Sequence, residues 1–473
     1  MSGKKKVIIL SAIWIALLGV AVILNIPAPK DDINAFYNWK TIQKKGYLRA
    51  GILQNTTDYY VENGDIKGFH YDMLELFGKQ YKLDVNYAVY HTYWDNFWAL
   101  ATGEIDVLAM DLNNDPQYNS YSLFTNPHSY SHHVLVQHNS NKIVDGNFNI
   151  MPHQDSLLSR TFLLKIHCFS CFYQDALYLS RKLESLNIEL SLDETMNIND
   201  VLTLLGEKKI DLTIASQKVM ESNAILYKDM DYSVILTDTI ALHWAVNKQN
   251  TSLQEIFNHW LDSIKTTQHY AILLEKYYSP SSKNRRTIGQ YQQKYSNNPI
   301  SFYDDLIKKY AARYNLDWRL VSAVIYRESR FNSQAIGKGG SFGLMQIMPK
   351  TAKHLGMSNP NSPENQILYG CKYLKRLKMK YLEKGADTTD IYKFVLAAYN
   401  AGSCHIDDAI LLAKSKGYNP NSWQDVEKML IRLSDKKYTK NIPLRCGNYN
   451  GKHTKNYVNK VWTSYLHYQN MVD

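Results

Sequence analysis

The sequence is short of the residues that would build a metal centre. Its 473 residues contain five cysteines: Cys168, Cys171, Cys371, Cys404 and Cys446. The spacing of Cys168 and Cys171 fits a redox pair, a disulfide or half of a zinc site, but no second pair with zinc spacing follows. No metal and no cofactor is therefore expected. A local bond between those two, or two inert thiols, is the favoured reading, and an odd count leaves at least one thiol free or shared between chains. A nucleic-acid motif is missing as well. The net charge of +10 suits anionic partners such as nucleic acid, a membrane surface or a cell-wall polymer. The lysines are scattered, however, so they read as solvated faces, and no nucleic-acid partner is expected. With 45% hydrophobic residues the chain can form ordinary cores, and its length suits two or three domains. The 36 tyrosines supply rings that stack on sugars when exposed and fill cores when buried.

Lys4, Lys5 and Lys6 precede an apolar run over residues 7–26, broken by Ser11, Gly19 and Asn25. Such a run is an export signal or a membrane anchor. It is long for the core of a cleaved signal, it ends in Pro27-Ala28-Pro29, and no cysteine lies there to carry a lipid. The expectation is an uncleaved anchor within residues 1–30, with the lysines cytoplasmic; a removed signal peptide is the alternative. Either one puts the bulk of the protein outside the cytoplasm; the expected location is the periplasm, with membrane association through the anchor.

Residues 40–280 alternate strand and helix patterns. Residues 46–53 read as a strand, 69–81 as a helix with Met73, Leu74 and Phe77 on one face, and 83–90 as a second strand. Residues 97–110 give a helix, a glycine turn and a strand after Ile105-Asp106; residues 202–215 repeat the pattern around Ile210-Asp211. Two such units predict two related α/β lobes. With Gly68-Phe69-His70-Tyr71-Asp72 before the first helix and Phe124-Thr125-Asn126-Pro127 after the first unit, this stretch resembles the family 3 extracellular solute-binding proteins. The resemblance implies a two-lobed fold closing on a small molecule. It has the chain leave lobe one near Val136 and return near Ile240, with lobe two over 137–239 and a helix through Trp260 and Tyr277 packing back on lobe one. It also implies an arginine clamp for a ligand's α-carboxylate, at the position where Tyr118 stands. A tyrosine offers one hydrogen bond and no fixed charge, so a free amino acid is not the expected ligand. A muropeptide fragment, a protein surface or no ligand stay open.

Residues 281–299 are polar and proline-containing and read as a linker. Beyond it, Ser301 with Asp304 three residues later predicts a helix start, with Phe302, Leu306, Tyr310 and Tyr314 on one face. Asp317 reads as the N-cap of a helix whose stripe of Leu320, Val321, Val324 and Ile325 is continued by Glu328. A carboxyl on an apolar face resists ionisation, and one kept protonated near neutral pH can act as a general acid. The bland reading is a buried glutamate paired with an arginine or a backbone amide. Downstream come glycines 337, 339 and 340, then Gly343-Leu344-Met345-Gln346-Ile347-Met348-Pro349. Ala397-Ala398-Tyr399-Asn400-Ala401-Gly402 ends another apolar helix, and Tyr457-Val458 stands near the C-terminus. Between these, Ser362-Pro363 starts a helix with a stripe of Ile367, Cys371, Leu374 and Tyr381, where Cys371 reads as packing.

In that order these motifs resemble the lytic transglycosylase catalytic domain, a lysozyme-like, mainly helical fold that cleaves peptidoglycan. Asn332-Ser333, Gly337 and Ser341 depart from the family's pattern, in the loop rather than at the acid. The resemblance implies one catalytic residue, Glu328. It protonates the glycosidic oxygen and then takes a proton from the muramic C6 hydroxyl as that oxygen attacks C1. It further implies substrate contacts by Ser329, Met345, Gln346, Tyr399, Asn400 and Tyr457, with Met345 and Gln346 lining the cleft and the Tyr399 hydroxyl orienting the acid or the sugar. Core packing is the competing reading for Met345 and Tyr399. Glycoside hydrolysis usually needs two carboxyl groups, and the other acids between Glu328 and Ile391 are Glu364, Glu383, Asp387 and Asp390, none of them in the loop. The expectation is a multidomain chain: a two-lobed α/β periplasmic-binding-protein-like module, then a mainly α lysozyme-like domain over 300–473 that acts on peptidoglycan glycan strands. A wall-binding receptor with an inert catalytic domain and a muramidase-type hydrolase are the alternatives. The two-module order behind one apolar run also resembles a membrane-bound class of these enzymes.

Overall fold

The computed structural model describes residues 37–90, 93–114, 118–145, 148, 163–168, 172–183, 187–192, 196, 198–224, 226–279 and 300–472. The N-terminal apolar run, the linker over 281–299 and Cys171 lie outside the described residues. Among the described residues no helix is long and apolar enough to cross a membrane.

Lobe one contains β1 (Tyr47–Leu53), the hairpin of β2 (Tyr60–Glu62) and β3 (Asp65–Lys67), β4 (Asp84–Tyr90), β5 (Val107–Leu112), β6 (Ser122–Phe124) and β7 (Ser129–Ser131). Lobe two contains β8 (His133–His138), β9 (Leu163–Cys168), β10 (Asn187–Leu192), β11 (Leu212–Ser216) and β12 (Met230–Ile235). The chain then returns to lobe one as β13 (Ile240–Asn247). Lobe one's strand order is β4-β1-β5-β13-β6, with β7 also on β13; lobe two's is β10-β9-β11-β8-β12. β1 runs parallel to β4 and β5, so each step between them crosses over through a helix. The crossing into lobe two falls at His132, a few residues before the expected Val136. Val136 is already inside β8, paired with Thr213 of β11.

The helix Phe69–Tyr81 has the bounds its periodicity predicts. Its Phe69, Met73, Leu74 and Phe77 are fully buried, packed with Trp244 of β13 and with Phe257, Trp260 and Tyr277. Those last three come from the helices Thr251–Ile264 and Gln268–Tyr278, which pack back on lobe one. Each such side chain contributes about 1.5–3 kcal/mol by leaving water.

The last domain is helical, with one core formed by helices including Trp318–Ser329 (the acid helix), Pro363–Glu383, Ile391–Ala401, Ser403–Ser415, Trp423–Arg432 and the C-terminal helix Lys452–Met471. Its first helix begins at Asp304 rather than beside Ser301. The Asp304 carboxylate accepts from the backbone N–H of Ile300 and Ser301, at 2.8 and 2.9 Å, and from the Ser301 hydroxyl at 2.8 Å. The Ser–Asp pair therefore ties off the turn ahead of the helix, and the stripe shifts: Phe302 is 56% exposed, whereas Ile307, Tyr310 and Ala311 are buried. The Pro363–Glu383 helix buries Ile367, Cys371, Leu374 and Tyr381. Cys371 is a free thiol in the core, where burial pushes its pKa up to about 12. Cys404 and Cys446 form a disulfide, a pairing that spacing did not single out.

Lobe one and the helical domain share a core. Ile52, Tyr59 and Val61 of the lobe pack into the same cluster as the acid helix. The β2–β3 hairpin turns at Asn63 and Gly64, both with positive φ. Its tip touches both helices: Tyr468 Oη of the C-terminal helix donates to the Gly64 carbonyl at 2.7 Å, and Tyr326 Oη of the acid helix donates to Asp65. A Cβ on Gly64 would lie 2.5 Å from the Tyr326 ring and 2.7 Å from Phe331. Only glycine fits there, for the φ of +82° and for this close approach.

Candidate active site

Glu328 sits in the last turn of the acid helix. Asp317 caps the helix by accepting the Arg319 N–H at 2.9 Å, and the stripe from Leu320 to Ile325 is buried. Arg330 and Phe331 then take left-handed φ values of 50° and 60°, which end the helix and turn the chain sharply. The loop that follows folds back through Phe342, bridged to Ile336 and Ile347. Gly343, at φ +74°, lies so close to Gln366 that a Cβ would stand 2.3 Å from its side chain. Gln366 is buried and holds the loop. It accepts the Leu344 N–H at 2.8 Å and donates to the carbonyls of Ser333 and Pro360 at 3.1 and 2.8 Å. The sequence reading passed over this residue; a glutamine on the buried face of an otherwise apolar helix was the available signal.

Glu328 itself is half-buried. Burial raises its pKa above the usual carboxylate range, against the opposing pull of a hydrogen bond from Tyr457 and the nearby charge of Arg327. Tyr457, from the C-terminal helix, donates its hydroxyl to Glu328 Oε1 at 2.6 Å. The phenol is 7% exposed, and burial, followed by the adjacent Glu328, holds its pKa far above the ordinary value; it stays a neutral donor. Among the described residues, no acidic group is among those that shift Glu328. Of the downstream acids, Glu364 is engaged with Lys309 and Tyr310, and Asp390 with Lys393 and the Trp423 N–H.

The other expected residues gather around this pair, several in supporting positions. The Ser329 hydroxyl donates to the Leu344 carbonyl at 2.8 Å, joining the acid helix to the loop. Met345 is fully buried, with its sulfur against Gly370, where a Cβ would stand 1.9 Å away; its side chain packs the core instead of lining a cleft. Gln346 has its amide N–H groups on the carbonyls of Ala335 and Gly343, at 3.0 and 2.9 Å, and its Oε1 on the Ser341 hydroxyl at 2.9 Å. It braces the loop at φ 46°. The Tyr399 hydroxyl does not reach the acid; it donates to the Met345 carbonyl at 2.6 Å. The ring is still near enough for the Glu328 charge to act on it. Asn400 accepts from the Thr454 hydroxyl at 2.8 Å and is exposed. The hydroxyl partner of the acid is thus Tyr457, not Tyr399.

In the solute-binding-like half, Tyr118 lies in the cleft between the lobes, stacked flat on Phe97 with centroids 3.9 Å apart. Deeper in, His70 Nε2 and His128 Nε2 approach Asp111 Oδ1 at 3.2 and 3.5 Å, a convergence with the outline of a metal site. The chemistry of His70 argues otherwise. Trp244 Nε1 donates to its Nδ1 at 3.0 Å, and an indole can only donate. The neutral ring therefore carries its proton on Nε2, facing Asp111, and has no lone pair there for a metal.

Residues 305–422 match the family described as the transglycosylase SLT domain, and residues 48–280 match the bacterial extracellular solute-binding proteins, family 3. The chain belongs to the lytic murein transglycosylases that join these two domains. Over nearly its whole length it is similar to proteins named membrane-bound lytic murein transglycosylase F. That of Desulfosudis oleivorans is 26% identical over 461 residues, covering 96% of this chain and 95% of the relative. Those of Pseudomonas fluorescens and Vibrio cholerae are 27% and 25% identical, covering 90% and 95% of this chain and 84% of each relative.

Proposed function

We propose that the chain cleaves the β-1,4 bond between N-acetylmuramic acid and N-acetylglucosamine in peptidoglycan, forming 1,6-anhydromuramic acid, with Glu328 as acid and then base. The observation that carries this reading is a half-buried carboxyl, its pKa raised by burial, paired with a neutral phenol, and with no acidic group acting on it among the described residues. Tyr457 occupies Oε1, which leaves Oε2 to carry the proton toward the glycosidic oxygen. Once the proton has gone, the same hydrogen bond and the Arg327 charge support the carboxylate, which accepts the C6 hydroxyl proton as O6 attacks C1. The C1–O4 bond breaks, the C1–O6 bond forms, and no water is consumed. The test is digestion of purified sacculi with product masses: anhydro ends support the reading, and reducing ends point to a hydrolase.

The solute-binding module braces this centre in our reading, because its β2–β3 hairpin holds the acid helix and the C-terminal helix together. A location outside the cytoplasm is supported by the Cys404–Cys446 disulfide, since such bonds persist in oxidising compartments. The apolar run over residues 7–26 would tether the enzyme to the membrane.

A further inference from the structure

The positive charge is not shared evenly between the two modules. Residues 37–279 hold 19 lysines and arginines against 28 acids, whereas residues 300–473 hold 27 against 14. The imbalance is steepest near the C-terminus. From Lys436 to Val472 there are seven lysines and arginines and no aspartate or glutamate. Five of the seven, Lys436, Lys437, Lys440, Arg445 and Lys452, are exposed. Among the described residues none of these five is in an ion pair, whereas Lys455 is held by Glu427 at 2.8 Å. The nearest acid along the chain, Asp435, caps the short helix Lys436–Thr439 by accepting the Lys437 N–H at 2.9 Å, and lies 3.9 Å from Arg432.

Residues 436–453 form a strap that is fastened from beneath. Tyr438, Ile442, Leu444 and Tyr449 are half-buried against the core of the helical domain, while Lys440 and Arg445 between them stay in water. The buried Asp408 carboxylate is taken up by the backbone N–H groups of Arg445, Cys446 and Gly447, and Cys446 is bonded to Cys404. One end of the strap reaches the active site. Tyr449 Oη and Thr454 Oγ1 are 2.7 Å apart, and Thr454 donates to Asn400 Oδ1 at 2.8 Å. Thr454 stands one turn ahead of Tyr457 on the C-terminal helix, about 4.5 Å along its axis. A row of like charges on a fixed segment repels itself, and a surface that serves solubility alone intersperses both signs.

We propose that this strap is a docking surface for the carboxylates of the peptides that a peptidoglycan strand carries, so that it selects strands with charged peptides and holds them on the Asn400 side of the centre. The inference deepens the function proposed above and rests on the chain acting on peptidoglycan. Each exposed contact between a lysine and a carboxylate is weak, so recognition is collective and tolerant of the peptide's sequence. It acts by attracting and retaining the strand, and it fades as salt screens the charges. An anionic lipid surface offers the same charge, but on this strap it would lie beside the centre that the strand has to enter. The placement therefore favours the strand.

The experiment compares purified sacculi with sacculi whose carboxyl groups have been amidated by a carbodiimide and excess ammonium, which removes the negative charge and leaves the glycan bonds intact. Binding is read by pelleting the full chain carrying Glu328→Gln with each wall, and cleavage by the soluble fragments that the native chain releases. Both are expected to fall at least about fivefold on the amidated wall at low salt, and the difference should vanish near about 0.5 M NaCl. A variant with Lys436→Gln, Lys437→Gln, Lys440→Gln and Arg445→Gln should show the same loss on untreated wall, and amidation should cost it nothing further. Exchanging the same four residues for the other basic type (Lys→Arg, Arg→Lys) should restore the native behaviour, which separates charge from folding. Equal binding to the two walls would overturn the proposal, as would an amidation effect that persists undiminished in the glutamine variant. A glutamine variant that releases phosphatidylglycerol vesicles yet keeps its hold on the wall would assign the strap to lipid instead. Fragment ends are typed separately: reducing ends would overturn the reaction proposed above and leave the ratio between the two walls untouched.

Discussion

The Tyr457 hydroxyl lies 2.6 Å from Glu328 Oε1, across 129 residues of sequence. Two helices distant in the chain thus meet at one hydrogen bond, and the acid's proton affinity is set between burial, which raises it, and this phenol, which lowers it.

Removing the acid tests the whole centre. Glu328→Gln is expected to abolish release of anhydro-muropeptides from sacculi, a loss of at least about 10²–10⁴-fold for a general acid, with circular dichroism unchanged. Stability carries a second signature. The native state holds the Glu328 proton more tightly than the unfolded chain does, so stability falls as pH rises between the unfolded and the folded pKa. Above that window the glutamine variant should melt higher than the native chain; below it the two should coincide. Melting curves across pH check both halves.

Tyr457→Phe removes a hydrogen bond that favours the carboxylate, so the Glu328 pKa should rise further. The protonated acid then persists to higher pH, and the alkaline limb of the pH–rate profile should move upward. The maximal rate should drop roughly ten- to a hundredfold, because a hydrogen bond to a charged group is worth about 1.5–3 kcal/mol. A lower rate with an unmoved limb would show that the phenol does not tune the acid.

Gly64→Ala should loosen the contact between the solute-binding module and the acid helix. It places a Cβ against Tyr326 and Phe331 at a φ of +82°, a backbone cost of about 1–3 kcal/mol for a non-glycine residue. Denaturant unfolding should show lower stability, and cleavage of sacculi should slow although the substitution is outside the catalytic domain. An unchanged rate would mean that the hairpin does not support the acid.

Reducing the disulfide should destabilise the domain. Cys404 and Cys446 are 42 residues apart, and closing a loop of that size stabilises by about 4 kcal/mol in the chain-entropy account. The loop is also held by the Asp408 carboxylate, which accepts the N–H groups of Arg445, Cys446 and Gly447 at 2.7–2.9 Å. A Cys404→Ser, Cys446→Ser double variant, melted beside the native protein, measures how much the covalent bond adds.

The half-buried position of Glu328 was legible in the sequence. A glutamate continuing the Leu320–Ile325 stripe must sit at the edge of a core, and helical periodicity is a local property. The same holds for the bounds of the Phe69–Tyr81 helix and for the stripe around Cys371, where 3.6-residue spacing alone decides which side chains are buried. What the side chains at the site do was decided by tertiary structure. Met345 and Tyr399 end apolar stretches whether they face a cleft or a core, and only the packing of Met345 on Gly370 and of Tyr399 on the Met345 carbonyl separates the two. The pairing of Cys404 with Cys446, the hub at Gln366, the hairpin on the acid helix and the choice of Tyr457 over Tyr399 join residues far apart in the chain. Hydrogen bonds and disulfides depend on distances in space, and no local pattern records which distant residues the fold brings within 3 Å.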